Sequence, residues 1–345
     1  MAPTQQELRA IFMKAVVYSG AGQLVVEDLE SPQGEGVLVE VEACGICGTD
    51  LTIFAGKHPR SKAPLVIGHE FVGRLSEHVP ESGLAAGTRV TCFPLYTCGH
   101  CEACTSGLEH VCETLRLVGI DGPGGMAEAV RLSPDLLYPV PDDLPAIVAA
   151  QAEPVAVCVH AANIGGIKGG EAVAIIGAGP IGITLAILLR QRGVAQIVIS
   201  DTNQDRLSTA RDLGFVTVTA GKTIIDALEA RSGFDVVFEC AGVGAAVNAA
   251  VASARVGGRI VIVSIHKSPQ PVDLQALSFR ELQVLGTRVY TRLEFLEAIA
   301  LLPAMANDLS RIVSSVVTFE GTQQAFEKLA NGSPDLKIIV ATASA

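Results

Sequence analysis

The sequence predicts an α/β protein in which a small β-rich domain precedes a doubly wound, parallel six-stranded sheet. Short apolar runs up to about Leu137 are interrupted by Gly and Pro, which is typical of a β-rich domain with long loops. From Glu171 onward apolar strands alternate with helical segments, which indicates parallel strands joined by crossover helices. At 345 residues the chain is long enough for about two domains.

The individual elements follow from apolar periodicity and from Gly and Pro punctuation. The first domain is predicted to open with the strands Lys14–Tyr18, Leu24–Glu27 and Val37–Glu42. The parallel sheet is predicted to contain Val173–Ile176, Ile197–Ile199, Val216–Val218, Val236–Glu239, Ile260–Val263 and Gln283–Leu285. Its helices include Gln204–Leu213, Ile224–Arg231 and Ala245–Ala254. A tail with two helices and a last strand, Leu336–Val340, has no place in that sheet, so we expect it to return to the first domain.

A glycine-rich turn opens the parallel sheet domain. In such a turn the first glycine makes the bend, the second lets the backbone approach a pyrophosphate, and the third lets the helix pack close to the strand. The pyrophosphate would lie on the free N–H groups of the new helix. The residues predicted to bind a dinucleotide are Gly177, Gly179, Pro180, Ile181 and Gly182. A turn that binds nothing is the alternative, but strand, turn, helix, strand and acid all occur here in order.

An acidic residue after the second strand bears on which dinucleotide is bound. Asp201 lies 24 residues after Gly177, near the spacing expected for the acid that bonds the ribose 2′-hydroxyl. Its carboxylate would repel a 2′-phosphate, and Asp205 adds to that repulsion. Arg206 could partner a phosphate, stack on the adenine or face water. The sequence therefore favours NAD over NADP.

The net charge and the cysteine content indicate which partners, which compartment and which metal chemistry to expect. A net charge of −11 argues against nucleic acid or an anionic membrane as a partner, and no apolar run is long enough to span a bilayer. The stretch Met1 to Phe12 is polar and lacks a signal-peptide core, so we expect a cytoplasmic protein. Nine cysteines in such a chain point to metal rather than to disulfides.

One cysteine cluster has the spacing of a structural zinc site. Four thiolates this close together can close a tetrahedron around Zn²⁺, and the ligands would be Cys98, Cys101, Cys104 and Cys112. An iron–sulfur cluster is the rival, but the last interval is too long and no proline follows the fourth cysteine. The nearby His100, His110 and Cys92 are expected to be bystanders.

A second, dispersed set could form a catalytic metal site. It comprises Cys44-Gly-Ile-Cys47-Gly-Thr49-Asp50, Gly68-His69-Glu70 and Glu153-Pro154. Taken one at a time, these residues could equally be a redox cysteine pair, a core histidine and a solvated carboxylate. Beside a dinucleotide-binding domain they offer what hydride transfer from an alcohol needs, a metal with three protein ligands and one open position.

With these motifs the chain resembles the zinc-containing medium-chain dehydrogenase/reductase family, on its sorbitol and butanediol dehydrogenase-like side, from Met13 to Val340. The resemblance implies a GroES-like catalytic domain over 1–154 and 288–345, with a zinc lobe at about 92–115, and a Rossmann NAD-binding domain over 155–287. It implies that Cys47, His69 and Glu153 bind the catalytic zinc and that Glu70 binds it directly or replaces water. Glu153 stands where simple alcohol dehydrogenases have cysteine, which points to polyols.

The same resemblance assigns roles around the metal. Thr49 would bond the substrate oxygen and start a proton relay, and Asp50 would orient His69. Thr52 stands where simple alcohol dehydrogenases carry a histidine, so water or a cofactor hydroxyl would complete the relay. The substrate pocket is expected to include Ile53, Phe54, Arg288 and Tyr290.

The predicted function is hydride transfer between NAD and a secondary alcohol, polyol or sugar hydroxyl, with two zinc ions per chain and NAD⁺ bound between the two domains. The resemblance further implies a homotetramer or homodimer. The alternatives are a dehydrogenase of small secondary alcohols or diols, a zinc-free reductase, and a non-enzymatic NAD-binding protein of the same fold.

Overall fold

The computed structural model describes residues 12–228 and 232–342. It divides into two compact units, one of Met1–Glu153, Ile299–Ala306 and Val313–Ala345, the other of Pro154–Ala298 and Asn307–Ile312. Most of the polar stretch Met1 to Phe12 and the end of the predicted helix Ile224–Arg231 lie outside the described residues. The described part of that helix is a single 3-10 turn, Ile224–Ala227.

The strands, in chain order, are β1 (Phe12–Gly20), β2 (Gln23–Glu30), β3 (Val37–Gly45), β4 (Leu65–Val66), β5 (Glu70–Leu75), β6 (Arg89–Cys92), β7 (Leu95–Tyr96), β8 (Arg116–Leu117), β9 (Ala129–Leu132), β10 (Leu137–Pro139), β11 (Ala172–Ile176), β12 (Gln196–Asp201), β13 (Val216–Thr219), β14 (Phe234–Glu239), β15 (Ala254–Ile262), β16 (Gln283–Gly286), β17 (Val313–Val317) and β18 (Lys337–Ala341). The helices are α1 (Gly48–Phe54), α2 (Glu102–Thr105), α3 (Ala146–Ala149), α4 (Ala152–Ile164), α5 (Pro180–Gln191), α6 (Gln204–Asp212), α7 (Gly244–Ser253), α8 (Leu274–Phe279), α9 (Arg292–Arg311) and α10 (Thr322–Ala330).

The strands of the first unit pair mostly antiparallel, and β17 and β18 form a parallel pair. A three-stranded sheet has the order β2-β1-β4, and a seven-stranded sheet has the order β10-β6-β5-β3-β18-β17, with β9 also pairing with β3. The last strand, β18, runs antiparallel to β3, with Ile339 opposite Gly45 and Val340 opposite Cys44. This pairing brings a segment from the end of the chain beside the cysteine motif that follows β3.

The second unit contains a six-stranded parallel sheet of order β13-β12-β11-β14-β15-β16. Every residue of its central strand β11 is buried, because helices cover both faces of a parallel sheet. The order reverses direction at β11, and ligands of such sheets bind at the carboxyl end of the strands at this switch point. The six predicted strands and the doubly wound fold class are confirmed.

One helical stretch differs from the expectation that no apolar run is long enough to span a bilayer. Within the described residues, Ala146–Ile164 is long and apolar enough to cross a membrane by length and composition alone. It comprises the helices α3 and α4, and 78% of its apolar window is buried inside the protein. The rest of the chain thus already covers these side chains, as it does for a core helix.

Candidate active site

Three metal-ligating side chains converge in the first unit. Cys47 caps the N-terminus of α1, His69 precedes β5, and Glu70 is the first residue of that strand. One ligand atom from each lies within 4.8 Å of the other two. His69 and Glu70 are buried and Cys47 is half-buried. A thiol, an imidazole and a carboxylate so placed could hold a metal ion such as zinc.

The turn before His69 explains why the motif begins with glycine. Gly68 has φ +100°, a conformation that L-residues rarely adopt. A Cβ there would also lie 2.6 Å from Cys44 Sγ and 2.8 Å from Met126 Cγ. Cys44 is fully buried beneath this turn and does not belong to the group of three donors, and burial raises the pKa of its thiol well above the ordinary value.

Asp50 lies behind His69. Its Oδ1 is 3.6 Å from His69 Nδ1, and its Oδ2 accepts a 2.9 Å hydrogen bond from the Cys47 backbone N–H. Asp50 Oδ1 and His69 Nδ1 are both buried without a hydrogen-bond partner. A carboxylate facing one ring nitrogen leaves the other free for a metal, the arrangement that orients zinc-bound histidines.

The electrostatics of Cys47 and His69 are suited to binding a cation. Burial raises the pKa of the Cys47 thiol, despite the opposing effect of His69. Burial alone would lower the pKa of His69, but attraction by the Cys47 thiolate and the Asp50 carboxylate outweighs it and raises that pKa well above its ordinary value. Because a bound zinc ion requires thiolate and neutral imidazole, it would supply the positive charge that the proton otherwise provides.

A buried lysine, which sequence reasoning did not single out, completes this cluster. Lys337 Nζ donates to Glu70 Oε2 at 2.6 Å and to the Ile46 carbonyl at 3.3 Å. Both charged side chains are almost fully buried. A Cβ on Gly45 would lie 2.3 Å from the same Glu70 oxygen, so the glycine leaves room for the carboxylate. A charged residue at the start of the otherwise apolar strand β18 was the signal that could have identified it.

The other predicted residues of the first unit lie nearby. Glu153 is buried in the first turn of α4 and is not in the group of three donors, but its charge helps to raise the pKa of His69. Thr49 is half-buried in the first turn of α1, and Thr52 Oγ1 donates to the Gly48 carbonyl at 3.2 Å. Ile53 and Phe54 are buried, and the Phe54 ring packs 5.4 Å from that of Phe326.

The four clustered cysteines also converge. One sulfur atom from each lies within 4.8 Å of the others. Backbone N–H groups of His100 and Cys101 lower the pKa of Cys98 to about 6, whereas desolvation raises that of Cys104 to about 12. Zinc would displace the remaining protons, and four thiolates leave no open position, as in structural sites.

In the second unit the glycine-rich turn lies between β11 and α5. Gly177 has φ +113°, and a Cβ on Gly182 would lie 1.9 Å from the Gly177 carbonyl oxygen. By contrast, nothing lies within 4 Å of a Cβ built on Gly179, the residue that caps α5. The open space at the positive end of a 12-residue helix is suited to a pyrophosphate.

The carboxylate of Asp201 faces this turn. Its Oδ2 accepts from the Ala178 N–H at 2.6 Å and its Oδ1 accepts from the Asn203 N–H at 2.7 Å. Thr202 Oγ1 also donates to Oδ1, at 3.5 Å, whereas Oδ2 retains a second lone pair for a ribose hydroxyl. Pro180 and Ile181 form the first turn of α5, and Arg206 is half-buried in the first turn of α6.

The two residues proposed for substrate recognition differ in exposure. Arg288 is exposed. Tyr290 is fully buried and its ring stacks on Phe295 at 5.7 Å. Their assignment to the substrate pocket stays a prediction.

Known proteins match the chain over most of its length. A model of the alcohol dehydrogenase GroES-like domain matches residues 33–142, and one of the zinc-binding dehydrogenase domain matches residues 180–304. The chain is 34% identical over 318 residues to 2-dehydro-3-deoxy-L-galactonate 5-dehydrogenase of Pseudoalteromonas atlantica, which covers 90% of this chain and 92% of that protein.

Solved structures are similar over the whole fold. One from Sinorhizobium meliloti 1021, described as a zinc-binding dehydrogenase and bound to NADP, has a TM-score of 0.88 and 32% identity, covering 96% of this chain and 99% of that one. The 2R,3R-butanediol dehydrogenase of Bacillus subtilis has a TM-score of 0.87 and 28% identity, covering 95% of this chain and 99% of that one.

Proposed function

The chain belongs to the zinc-containing medium-chain alcohol dehydrogenase family, and on that premise we propose that it oxidises a polyol or sugar hydroxyl with NAD⁺ as hydride acceptor. The predicted family and the class of reaction, NAD(P)-linked oxidoreduction of a CH–OH group, are confirmed. The observation that carries the proposal is that Cys47 and His69 lie together, with Asp50 behind the histidine and with Glu70 and Glu153 as the two carboxylates that act on this pair.

Each of these residues has a separate role in the oxidation of an alcohol. Zinc held by Cys47, His69 and a glutamate would act as a Lewis acid toward the substrate oxygen. Asp50 holds the His69 ring in orientation, and the buried surroundings exclude water and strengthen local electrostatics. The Thr49 hydroxyl would accept the proton that the substrate hydroxyl loses and donate its own proton onward to water or to a cofactor hydroxyl. The cofactor supplies the hydride chemistry, and the turn Gly177–Gly182 would hold its pyrophosphate.

Glu70 and Glu153 are both candidates for the third ligand. Glu70 lies with Cys47 and His69 but is already paired with Lys337, whereas Glu153 acts on His69 through its charge. We propose that Glu153 completes the resting site and that Glu70 stays on Lys337. A second zinc ion, held by the four-cysteine cluster, would bring the content to two per chain.

The choice of NAD over NADP rests on the Asp201 carboxylate, which lies against the glycine-rich turn. In Asp201→Asn the amide oxygen can accept only one of these two N–H bonds, and the negative charge is gone. We expect the preference for NAD over NADP, measured as the ratio of kcat/KM values, to fall at least about 10-fold, because like charges placed together cost several kcal/mol. An unchanged ratio would contradict this assignment.

The metal site is tested by Cys47→Ala, with Cys44→Ala as the matched control. We expect the first variant to contain one zinc per chain instead of two, to keep its fold and to lose NAD⁺ reduction with polyols, sugars, vicinal diols and secondary alcohols. The control removes a buried thiol outside the donor group and should keep both ions. Full activity of Cys47→Ala would refute the mechanism and favour a zinc-free reductase.

The assembly is proposed from the family resemblance, and the cellular location from the free cysteines, which point to metal rather than to disulfides. We propose a homotetramer or homodimer that works in the cytoplasm. Sedimentation equilibrium of the zinc-loaded protein separates these assemblies from a monomer.

A further inference from the structure

A second feature of the first unit, a cavity of about 680 Å³, is not explained by the metal site. Its floor is one face of the three-stranded sheet, where Val17, Leu29 and Val66 lie on the same side. This volume is in the range of small-molecule sites, and an apolar floor suits the C–H face of a sugar or polyol.

The wall of the cavity is basic. Arg60, Lys62 and Arg116 line it together with Asp121. Asp121 holds the wall in place, because its Oδ2 accepts from Arg60 Nη2 and from the Leu117 N–H, both at 2.9 Å, and its carbonyl accepts from Arg116 Nη2 at 3.2 Å. Each guanidinium keeps further N–H donors free to bind an anion.

Two charged residues of the cavity have no partner within 12–228 and 232–342. The Lys62 side chain makes neither a hydrogen bond nor an ion pair there. The same holds for the side chain of Glu27, which lies on β2 on the same face as Leu29. An ionised glutamate only accepts hydrogen bonds, so it suits the hydroxyl groups of a ligand, whereas the three cations suit a carboxylate or phosphate. The cavity thus offers complementary groups to a molecule that is anionic at one end and hydroxylated along its length.

The cavity lies close to the proposed metal ligands. Val66 is three residues before His69, so their Cα atoms are at most about 11 Å apart. The loop that forms the opposite wall packs on the same turn, since a Cβ on Gly119 or Gly124 would lie within 2.4 Å of the Gly68 carbonyl oxygen. None of the proposed metal ligands lines the cavity, so a substrate would have to extend over this distance to reach both places.

We propose that this cavity binds the anionic end of the substrate, and that the substrate is an acidic polyol or sugar, an aldonate or a polyol phosphate, rather than a neutral one. This inference rests on the proposed dehydrogenase activity and names its substrate class. The P. atlantica relative, whose name is that of a sugar-acid dehydrogenase, agrees with it.

The experiment compares Lys62→Gln with wild type on D-gluconate, galactitol 1-phosphate, galactitol and 2,3-butanediol. Lys62 has no partner to lose in the described structure, so the variant should fold normally. We expect KM for the acidic substrate to rise about 10-fold, as for one lost charge-assisted hydrogen bond, with kcat and the KM of neutral substrates unchanged. Lys57→Gln, which removes an exposed cation outside the cavity, is the matched control and should change neither.

Ionic strength provides a second readout that requires no variant. Salt should raise the KM of the acidic substrate and leave that of the diol unchanged, because exposed charges are screened. Preference for gluconate over the phosphate would identify the anion as carboxylate, and the reverse preference would identify phosphate.

Two outcomes would refute the anion site while leaving the proposed dehydrogenase activity intact. One is turnover of neutral substrates with no gain for acidic ones, and another is equal KM values in Lys62→Gln and wild type. If wild type oxidises none of the four, the proposed function fails for these substrates. Calorimetric titration with gluconate and galactitol 1-phosphate is then the measurement that tests the anion site. The site is refuted if neither anion binds to wild type, or if Lys62→Gln binds the anion as tightly as wild type does.

Discussion

The pair formed by Lys337 and Glu70 leads to the most demanding prediction. Lys337→Met keeps the length of the side chain but removes its charge, leaving the Glu70 carboxylate, 2% exposed, without its 2.6 Å partner. Removing one partner of a buried ion pair costs about 3–5 kcal/mol, because the remaining charge is neither hydrated nor paired.

This loss should be visible in thermal unfolding. The pair belongs to a unit of about 190 residues, for which 1 kcal/mol corresponds to about 2–4 °C in Tm. Lys337→Met should therefore melt about 6–20 °C below wild type in calorimetry of the zinc-loaded protein. The double variant Glu70→Gln/Lys337→Met should recover much of this difference, since it buries no unpaired charge.

The matched control is another lysine pair with the same separation. Lys328 Nζ lies 2.6 Å from Asp335 Oδ2, but the lysine side chain is 57% exposed. Lys328→Met should cost no more than about 1 kcal/mol, because water already solvates and screens the charges. Equal losses for Lys328→Met and Lys337→Met, or a double variant no more stable than Lys337→Met alone, would refute the argument from burial.

Three further predictions concern the other sites. Cys101→Ser should lower Tm and remove one zinc per chain while leaving the second in place, and an unchanged melting curve would contradict a structural metal in that cluster. Gly179→Ala should fold normally but weaken NAD⁺ binding in a fluorescence titration, whereas Gly182→Ala should destabilise the fold, because its Cβ would lie 1.9 Å from a backbone oxygen. Hydrogen bonds from His160 and the Thr291 backbone outweigh desolvation and lower the pKa of Glu294 to about 2 from 4.5. Its stabilising effect is therefore present above pH 4.5 and lost as the pH falls toward 2, so Glu294→Gln should differ from wild type in urea unfolding at pH 7 but not near pH 2.

Local patterns were enough to predict the fold class and the cysteine cluster. Buried parallel strands are continuous apolar runs separated by helices, and this pattern is visible within a window of about 30 residues. The cluster from Cys98 to Cys112 spans 15 residues, so its spacing alone brings the four sulfur atoms together. The glycine-rich turn is local only in part. A Cβ on Gly182 would collide with the carbonyl oxygen of Gly177, five residues earlier, whereas a Cβ on Gly177 would lie 3.0 Å from the backbone of Ala241, which only the folded sheet brings near.

Only the tertiary structure decided which distant charged residues meet. Lys337 and Glu70 are 267 residues apart, and they pair because β18 lies against β3 in the register that sets Ile339 opposite Gly45. Such a register depends on the whole sheet, and a shift of one residue would turn Lys337 to the other face. The basic wall of the cavity likewise joins Arg60 and Asp121, two residues in separate loops that sequence patterns treat as unrelated. Sequence patterns therefore determine which elements and motifs form, whereas packing determines which of their charges are buried together.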